Sequence, residues 1–386
     1  MNDDIILEEI PLGEPRLKDF VDLPWKLHRG DACWTPPLRA DYLGNKLLGS
    51  VGLLTPEHPY HEHAKVTHFL ARRNGQAVGR ISAAINYRFN EYHDTNIGFF
   101  GFFESIEDFE VARVLLDAAR SWVEKQGMSI LRGPGEYSNA THERQGILVE
   151  GFEYPPTVEL THNPPYYAAF LARYGLEKAK DYHAYRIFAQ DYQGERIARI
   201  APRLKKRRGI TTRSADLDNL QEEVRLIIDI YNDAWSQNWG FLPITQEEAD
   251  MLAETLRPVL VPDLVRFAYI NGESAAVFTA IPDLYVALRP RWQWPLDTEP
   301  VRIVRAFLMA KRIHRLRVFF FGVRPQFRRL GLDAILFHEA QQYALPHGYN
   351  MFEPSLLLEN NELILNVSQN LGGEQYKTWR IYEMPL

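Results

Sequence analysis

The sequence predicts an α+β protein in which one mixed-sheet fold is written twice. Two internal repeats and an even composition carry that prediction. Leu70–Gly79 overlays Phe267–Ala276 at an offset of 197 residues, and each stretch holds two strand-like runs joined at Asn-Gly, the strongest short hairpin signal. Phe99-Phe100-Gly101-Phe102 matches Phe320-Phe321-Gly322-Val323 at an offset of 221, and each run leads into an amphipathic helix. The 386 residues are 46% hydrophobic, and no low-complexity or single-sign block suggests a disordered tail, so both copies can bury a core.

In chain order, the first copy predicts the hairpin, the aromatic strand, and a helix whose Val111, Leu115, Ala119 and Trp122 recur at helical spacing behind a Ser105/Asp108 capping pair. A short helix on Tyr167, Phe170, Leu171 and Tyr174 follows, then a terminal strand after Gly175. The second copy predicts a strand at Ile210–Ala215 and a helix on Leu220, Val224, Ile227, Tyr231 and Trp235. After these come the hairpin Val265–Ala280, a strand Val318–Val323, a helix Leu332–Ala344, a strand Met351–Leu358, and a last helix and strand. The final segments return to the offset of 197, with Asn163, Gly175, Lys180 and Tyr185 answering to Asn360, Gly372, Lys377 and Tyr382.

The changing offset marks an insertion before the central strand of the second copy, Pro282 to about Arg317, and one after the helix of the first, Gly133–Leu160. Insertions on a repeated scaffold commonly build its binding face. The expected division is a first unit over 1–195, a linker over 196–209 with the solvated basic run Lys205–Arg208, and a second unit over 210–386.

With 44 basic and 50 acidic side chains the net charge is −6, which disfavours nucleic acid as a partner. The acidic start Met1-Asn2-Asp3-Asp4 and the lack of an apolar run of about 20 residues lead to the expectation of a cytoplasmic protein without a membrane partner. Cys33 is the only cysteine, which excludes intramolecular disulfides and cysteine-built zinc sites. The His58–His63 cluster is interrupted by Pro59 and reads as a surface loop, so no metal is expected.

Chemistry concentrates where the second central strand turns into its helix, Val323-Arg324-Pro325-Gln326-Phe327-Arg328-Arg329-Leu330-Gly331-Leu332-Asp333. Two arginines and a glycine ahead of a helix N-terminus suit an anion, above all a pyrophosphate. Arg328-x-x-Gly331-x-Asp333 resembles the pyrophosphate loop of the GNAT superfamily of N-acetyltransferases, and Asn361, eleven residues before Gly372, resembles that family's late asparagine. The resemblance spans nearly the whole chain in element order and is specific over Val323–Leu336. It implies two tandem GNAT-like folds, with acetyl-CoA or another acyl-CoA held in the second copy by Val323, Arg324, Arg328, Arg329, Leu330, Gly331, Leu332, Asp333 and Asn361. It also implies acyl transfer to an amine of a small metabolite or peptide.

Three features depart from the family pattern. Asp333 stands where a small residue is usual, and Ser368 where a tyrosine acid is common. The first copy's turn, Phe102–Asp108, carries Glu104, Glu107 and Asp108 with no arginine, so that copy reads as degenerate. The central strand holds no carboxylate, which leaves Glu353 as the candidate base and Tyr382 or Tyr376 as candidate acids. Trp239 and Phe241 are expected to line the acceptor pocket, and His142 and Glu143 are further candidate bases. The aromatic run Trp292-Gln293-Trp294-Pro295 reads as a second pocket wall, as packing between the halves, or as a homodimer contact. Two other readings fit the same residues. One is a transferase resembling the tandem FemX-type aminoacyl transferases; the other is a CoA-binding protein without catalysis.

Overall fold

A computed structural model describes residues 4–45, 50–137 and 144–386. The chain divides into two compact units. One comprises Met1–Asp181, Leu288–Arg305 and Lys377–Leu386, and the other Tyr182–Ala287 and Ala306–Tyr376.

The first unit is built on β1 (Ile5–Ile10), β2 (Ala64–Arg73), β3 (Gln76–Asn86), β4 (Ile97–Ser105), β5 (Ile130–Gly135) and β6 (Ile147–Glu150). β1 to β4 pair antiparallel in sequence order, and β5 joins β4 in parallel after the crossover helix Phe109–Lys125. Asn74 and Gly75 both take positive φ, 51° and 77°, as a right-twisted two-residue hairpin requires. The helix is capped by Asp108, whose carboxylate accepts from the Glu110 amide; Ser105, the other half of the predicted pair, remains in β4. Val111, Leu115, Ala119 and Val123 are fully buried along one helical stripe.

The second unit holds the part of β7 (Glu177–Phe188) from Tyr182 onward. It also holds β8 (Ile210–Ser214), β9 (Val265–Ile270), β10 (Glu273–Pro282), β11 (Arg315–Val323), β12 (Met351–Pro354) and the short β13 (Leu357–Leu358). Their order is β7-β12-β11-β10-β9-β8, with β11 and β12 parallel and the other neighbours antiparallel. The predicted strand 351–358 is thus two short strands interrupted at Ser355 and Leu356.

The last strand, β14 (Glu374–Pro385), corrects the expected division at 195 and 210. From Lys377 it belongs to the first unit, where Thr378–Arg380 pair with β6 and Tyr382–Pro385 with β5. Its counterpart β7 does the reverse: Ile187 and Phe188 pair with β12, and Tyr182 and His183 with β13. Each copy's terminal strand completes the unit of the other copy. Similarity of sequence says which segments are alike, while the hydrogen-bond ladder decides which sheet each one joins. The expected linker also proves to be ordered, as the helix Glu195–Arg208 ended by Gly209 at φ 62°. Within that basic run, Lys205 pairs with Glu339 at 2.7 Å.

Candidate active site

The central strand of the second unit changes face partway along. The β10–β11 register shifts between Thr279 and Ala280, opposite Phe319, so one residue of β11 is left over. Before the shift, Val318 packs into the core beneath the helix Leu332–Ala344; after it, Phe321 and Val323 do. Phe319 and Phe320 lie edge to face at 4.7 Å, and Phe320 meets Tyr231 of the helix Leu220–Ala234 on the opposite side of the sheet. Trp235 donates its indole N–H to the Phe321 carbonyl at 3.0 Å.

The same strand loses its parallel neighbour at this point. The β11–β12 ladder runs from Arg315–Met351 to Val318–Pro354 and stops. Proline has no N–H to continue it, and the chain leaves at Ser355 toward β13. Among the described residues no strand pairs with that edge of β11 from Phe319 to Val323, so the sheet opens as a wedge beside the predicted anion loop. Backbone groups on an opened strand edge can hydrogen bond an extended amide-bearing chain as a further strand would.

Beyond β11 the chain makes a 3-10 turn at Pro325–Phe327 and then passes through positive φ at Arg329 (62°) and Gly331 (81°) before the helix Leu332–Ala344 begins. No side chain caps this helix. Its first amides and the positive end of its dipole are thus available to an anion. A Cβ on Gly331 would come within 3.0 Å of Leu204 in addition to the strained φ, which explains the glycine.

The predicted loop residues take distinct positions. Arg328 and Arg329 are exposed, and Arg328 donates to the Ala234 carbonyl at 2.6 Å, the C-terminal end of its helix. Arg324 is instead a brace: it donates to Asp233 at 3.0 Å, to Asp229, and to the Ser274 carbonyl at 2.8 Å. Burial would lower its pKa, but the two carboxylates raise it above the ordinary value. Val323 and Leu330 pack against the core and Leu332 is buried in it, so these three shape the loop through the backbone. Asp333 lies half-buried in the first helical turn. Asn361 caps the helix Glu362–Asn370 through the Ile364 amide, and Ser368 turns back on its own helix to the Ile364 carbonyl.

Glu353, the residue before Pro354, is fully buried at the mouth of the wedge. Tyr376 donates its hydroxyl to the Glu353 carboxylate, and the Arg315 guanidinium lies 4.0 Å away. Arg315 is also 3.3 Å from the fully buried Asp283. Across the last rungs Arg317 faces Glu353; it is itself buried, donates to Ser355 at 3.3 Å and lies over the Phe319 ring. Burial, then the adjacent Glu353 charge, pushes the Tyr376 hydroxyl well above its ordinary range, so it stays a proton donor to the carboxylate. Sequence reasoning singled out Glu353 and Tyr376 but not Asp283, Arg315 or Arg317. The available signal was Arg315-x-Arg317 leading into a run of buried aromatics: a period of two puts both arginines on one face of the strand.

Of the remaining candidates, Phe241 is buried 5.5 Å from Tyr231, and Trp239 stands half-buried against Tyr182 at 6.5 Å. Tyr382 belongs to the core of the first unit, on β14 opposite Gly133, and so is not part of the cluster around Glu353. His142 and Glu143 lie outside the described residues. Trp292 donates to the Asp31 carbonyl and stacks on Trp34 within the first unit. Among the described residues no group of three or more His, Cys, Asp or Glu is arranged to hold a metal.

The matching region of the first unit is filled. β4 stays paired with β5 as far as Gly101–Gly135, and a Cβ on Gly101 would fall 1.9 Å from the Glu136 carbonyl. Glu104 is enclosed by His28 at 2.8 Å, the Tyr167 hydroxyl at 2.6 Å and Arg80 at 3.9 Å. A carboxylate there occupies the cationic partners that an incoming anion would need.

No family model matches the chain. Among curated proteins it is similar to a bacterial ceramide synthase from Caulobacter vibrioides, 34% identical over 390 residues, with 98% of each chain covered. It is also similar to Protein YghO from Escherichia coli, 30% identical, with 96% of this chain and 93% of that protein covered. Solved structures include a tandem GNAT protein from the clavulanic acid biosynthesis pathway, with a TM-score of 0.57, 13% identity, and 99% of this chain and 98% of that chain covered. A GCN5-related N-acetyltransferase from Sphaerobacter thermophilus has a TM-score of 0.54 and 12% identity, with coverage of 100% and 96%. These likenesses establish a tandem GNAT fold over the whole chain.

Proposed function

The chain belongs to the family of the C. vibrioides bacterial ceramide synthase and E. coli Protein YghO, and from that premise we propose that it is an N-acyltransferase joining the acyl group of an acyl-CoA to the amine of a lipid-like acceptor. A ceramide is the amide of a fatty acid with a long-chain amino alcohol, so the relative's name supports a sphingoid-base acceptor and a fatty acyl donor. The observation that carries the transferase reading is the wedge at Val318–Pro354, with Gly331 and the helix start at one end and buried Glu353 at the other.

The residues fit an acyl-CoA. Arg328, Arg329 and the uncapped amides of the helix Leu332–Ala344 would hold its pyrophosphate, and the free edge of β11 its amide-bearing arm. Acyl-CoA supplies an activated acyl carbon and a thiolate leaving group. Glu353 takes a proton from the acceptor's ammonium, freeing the amine to attack, and Tyr376 holds that carboxylate in place by its hydrogen bond. Backbone N–H groups on the open edge of β11 stabilise the oxyanion. The N–C bond forms and the C–S bond breaks, and the amine's second proton goes to the departing thiolate, so the products are the amide and free CoA as its thiol.

The test is CoA release, followed with a thiol reagent, from full-length protein given a long-chain or an acetyl thioester with sphinganine. Release that requires the amine, with the amide detected by mass spectrometry, is the expected result; preference for the long-chain thioester supports the fatty acyl donor. Calorimetric binding of acyl-CoA without turnover of either thioester would instead identify a non-catalytic CoA-binding protein.

A further inference from the structure

Five of the thirteen large apolar side chains exposed among the described residues fall within fifteen residues: Trp294, Leu296, Val304, Phe307 and Leu308. Val304, Phe307 and Leu308 stand at i, i+3 and i+4 on the helix Glu299–Met309, so they share one face, and Phe307 and Leu308 are 69% and 78% exposed. Arg302 and Ala306 form the opposite, buried face.

The charges of the segment 291–312 are sorted by sign. Its two acids are turned inward and paired: Asp297 with Arg305 at 2.7 Å, and Glu299 with Arg39 at 2.7 Å. Its exposed charges are Arg291, Lys311 and Arg312, all cationic. Lys311 lies three residues beyond Leu308, where its long stem can run along the apolar face while its ammonium stays wet. An apolar helical face followed by two cations, with no exposed acid in the segment, describes an element that lies in the headgroup region of a bilayer. A protein partner would not require every exposed charge to be positive on a chain whose net charge is −6.

We propose that the helix Glu299–Met309 and the turn Ala310–Arg312 that follows it dock the protein on an anionic lipid bilayer, with Val304, Phe307 and Leu308 inserted below the headgroups and Lys311 and Arg312 on the phosphates. This departs from the sequence expectation of no membrane partner, and it rests on the lipid-acceptor reading for its purpose: an insoluble amine is met at the surface that holds it. The helix Glu299–Met309 has 11 residues, too few to cross a bilayer, so attachment by this segment is peripheral.

The experiment is co-sedimentation of the full chain with vesicles of equal parts phosphatidylglycerol and phosphatidylcholine, compared with phosphatidylcholine alone. Binding is expected to the anionic vesicles and to weaken with salt. Phe307→Ser with Leu308→Ser is expected to lower it about tenfold or more, and Lys311→Glu with Arg312→Glu to lower it on anionic vesicles only. Wild type that stays in the supernatant, or a double serine variant that binds equally well, overturns the proposal. So does a wild-type dimer that becomes monomeric in the serine variant without vesicle binding, since the face would then be a self-interface. CoA release with a water-soluble amine separates the two readings. It is expected to be unchanged in the serine variant; if it is absent from wild type while vesicle binding persists, the transferase reading fails and the docking stands.

Discussion

Pro354 faces Val318 on the last rung of the parallel ladder between β11 and β12, and no further rung forms. A strand residue without an N–H at that position ends the pairing where the central strand approaches its helix. An acyl-CoA seated on the open edge would replace the missing partner. Hydrogen exchange of the segment 319–323 is therefore expected to slow on adding ligand, by about a hundredfold for opening that releases the ligand when its free concentration is about a hundred times Kd. Unchanged exchange with bound ligand would place the ligand elsewhere.

Gly331 and Arg329 both take positive φ, yet they should respond differently to alanine. Gly331→Ala is expected to cost roughly 1 kcal/mol or more of stability, from the left-handed backbone and the approach to Leu204, and to weaken acyl-CoA binding with it. Arg329→Ala is expected to leave the melting temperature nearly unchanged and to weaken binding about tenfold, the scale of one charge-assisted contact. Calorimetry and thermal melts on the two variants separate these effects. Arg324→Ala, which breaks the brace to Asp229 and Asp233, is expected to act on stability by about 1 kcal/mol.

Glu353→Gln keeps the shape of the buried cluster and removes its base. Turnover is expected to fall roughly a hundredfold or more with acyl-CoA affinity retained. Tyr376→Phe leaves the carboxylate but frees it to move, and is expected to give a smaller loss in kcat and a shifted pH profile. Full activity in Glu353→Gln would assign the proton transfer to another group.

A histidine in the first unit should govern part of the acid stability. His68 is buried, and its Nδ1–H donates to the Ile10 carbonyl at 3.0 Å, which leaves Nε2 to accept from the Tyr137 hydroxyl at 2.6 Å. Burial pushes its pKa down to about 4 from the ordinary 6.5. Between those values the unfolded chain binds the proton and the folded chain does not, so stability is fully present above pH 6.5 and falls as pH drops toward 4. The loss is on the order of 3 kcal/mol. Denaturant titrations of wild type and His68→Gln across that range should show a flatter pH dependence in the variant.

The sequence alone determined the duplication, the two Asn-Gly hairpins, the central crossover and the loop at Arg328–Gly331, because each depends on local backbone chemistry or on spacing along the chain. It also singled out Glu353 and Tyr376 as separate candidates, without showing that they touch. The tertiary structure decided that β7 and β14 change units, which placed Tyr382 in the first unit's core, since nothing local records which sheet edge a strand will find. It also decided that Arg317 is buried beside Ser355 and that the shift opposite Phe319 turns the aromatics to both faces. A one-residue bulge reverses the two-residue period on which any reading of faces from sequence relies, and the carboxylates beside Arg315, Asp283 and Glu353, lie far from it in sequence.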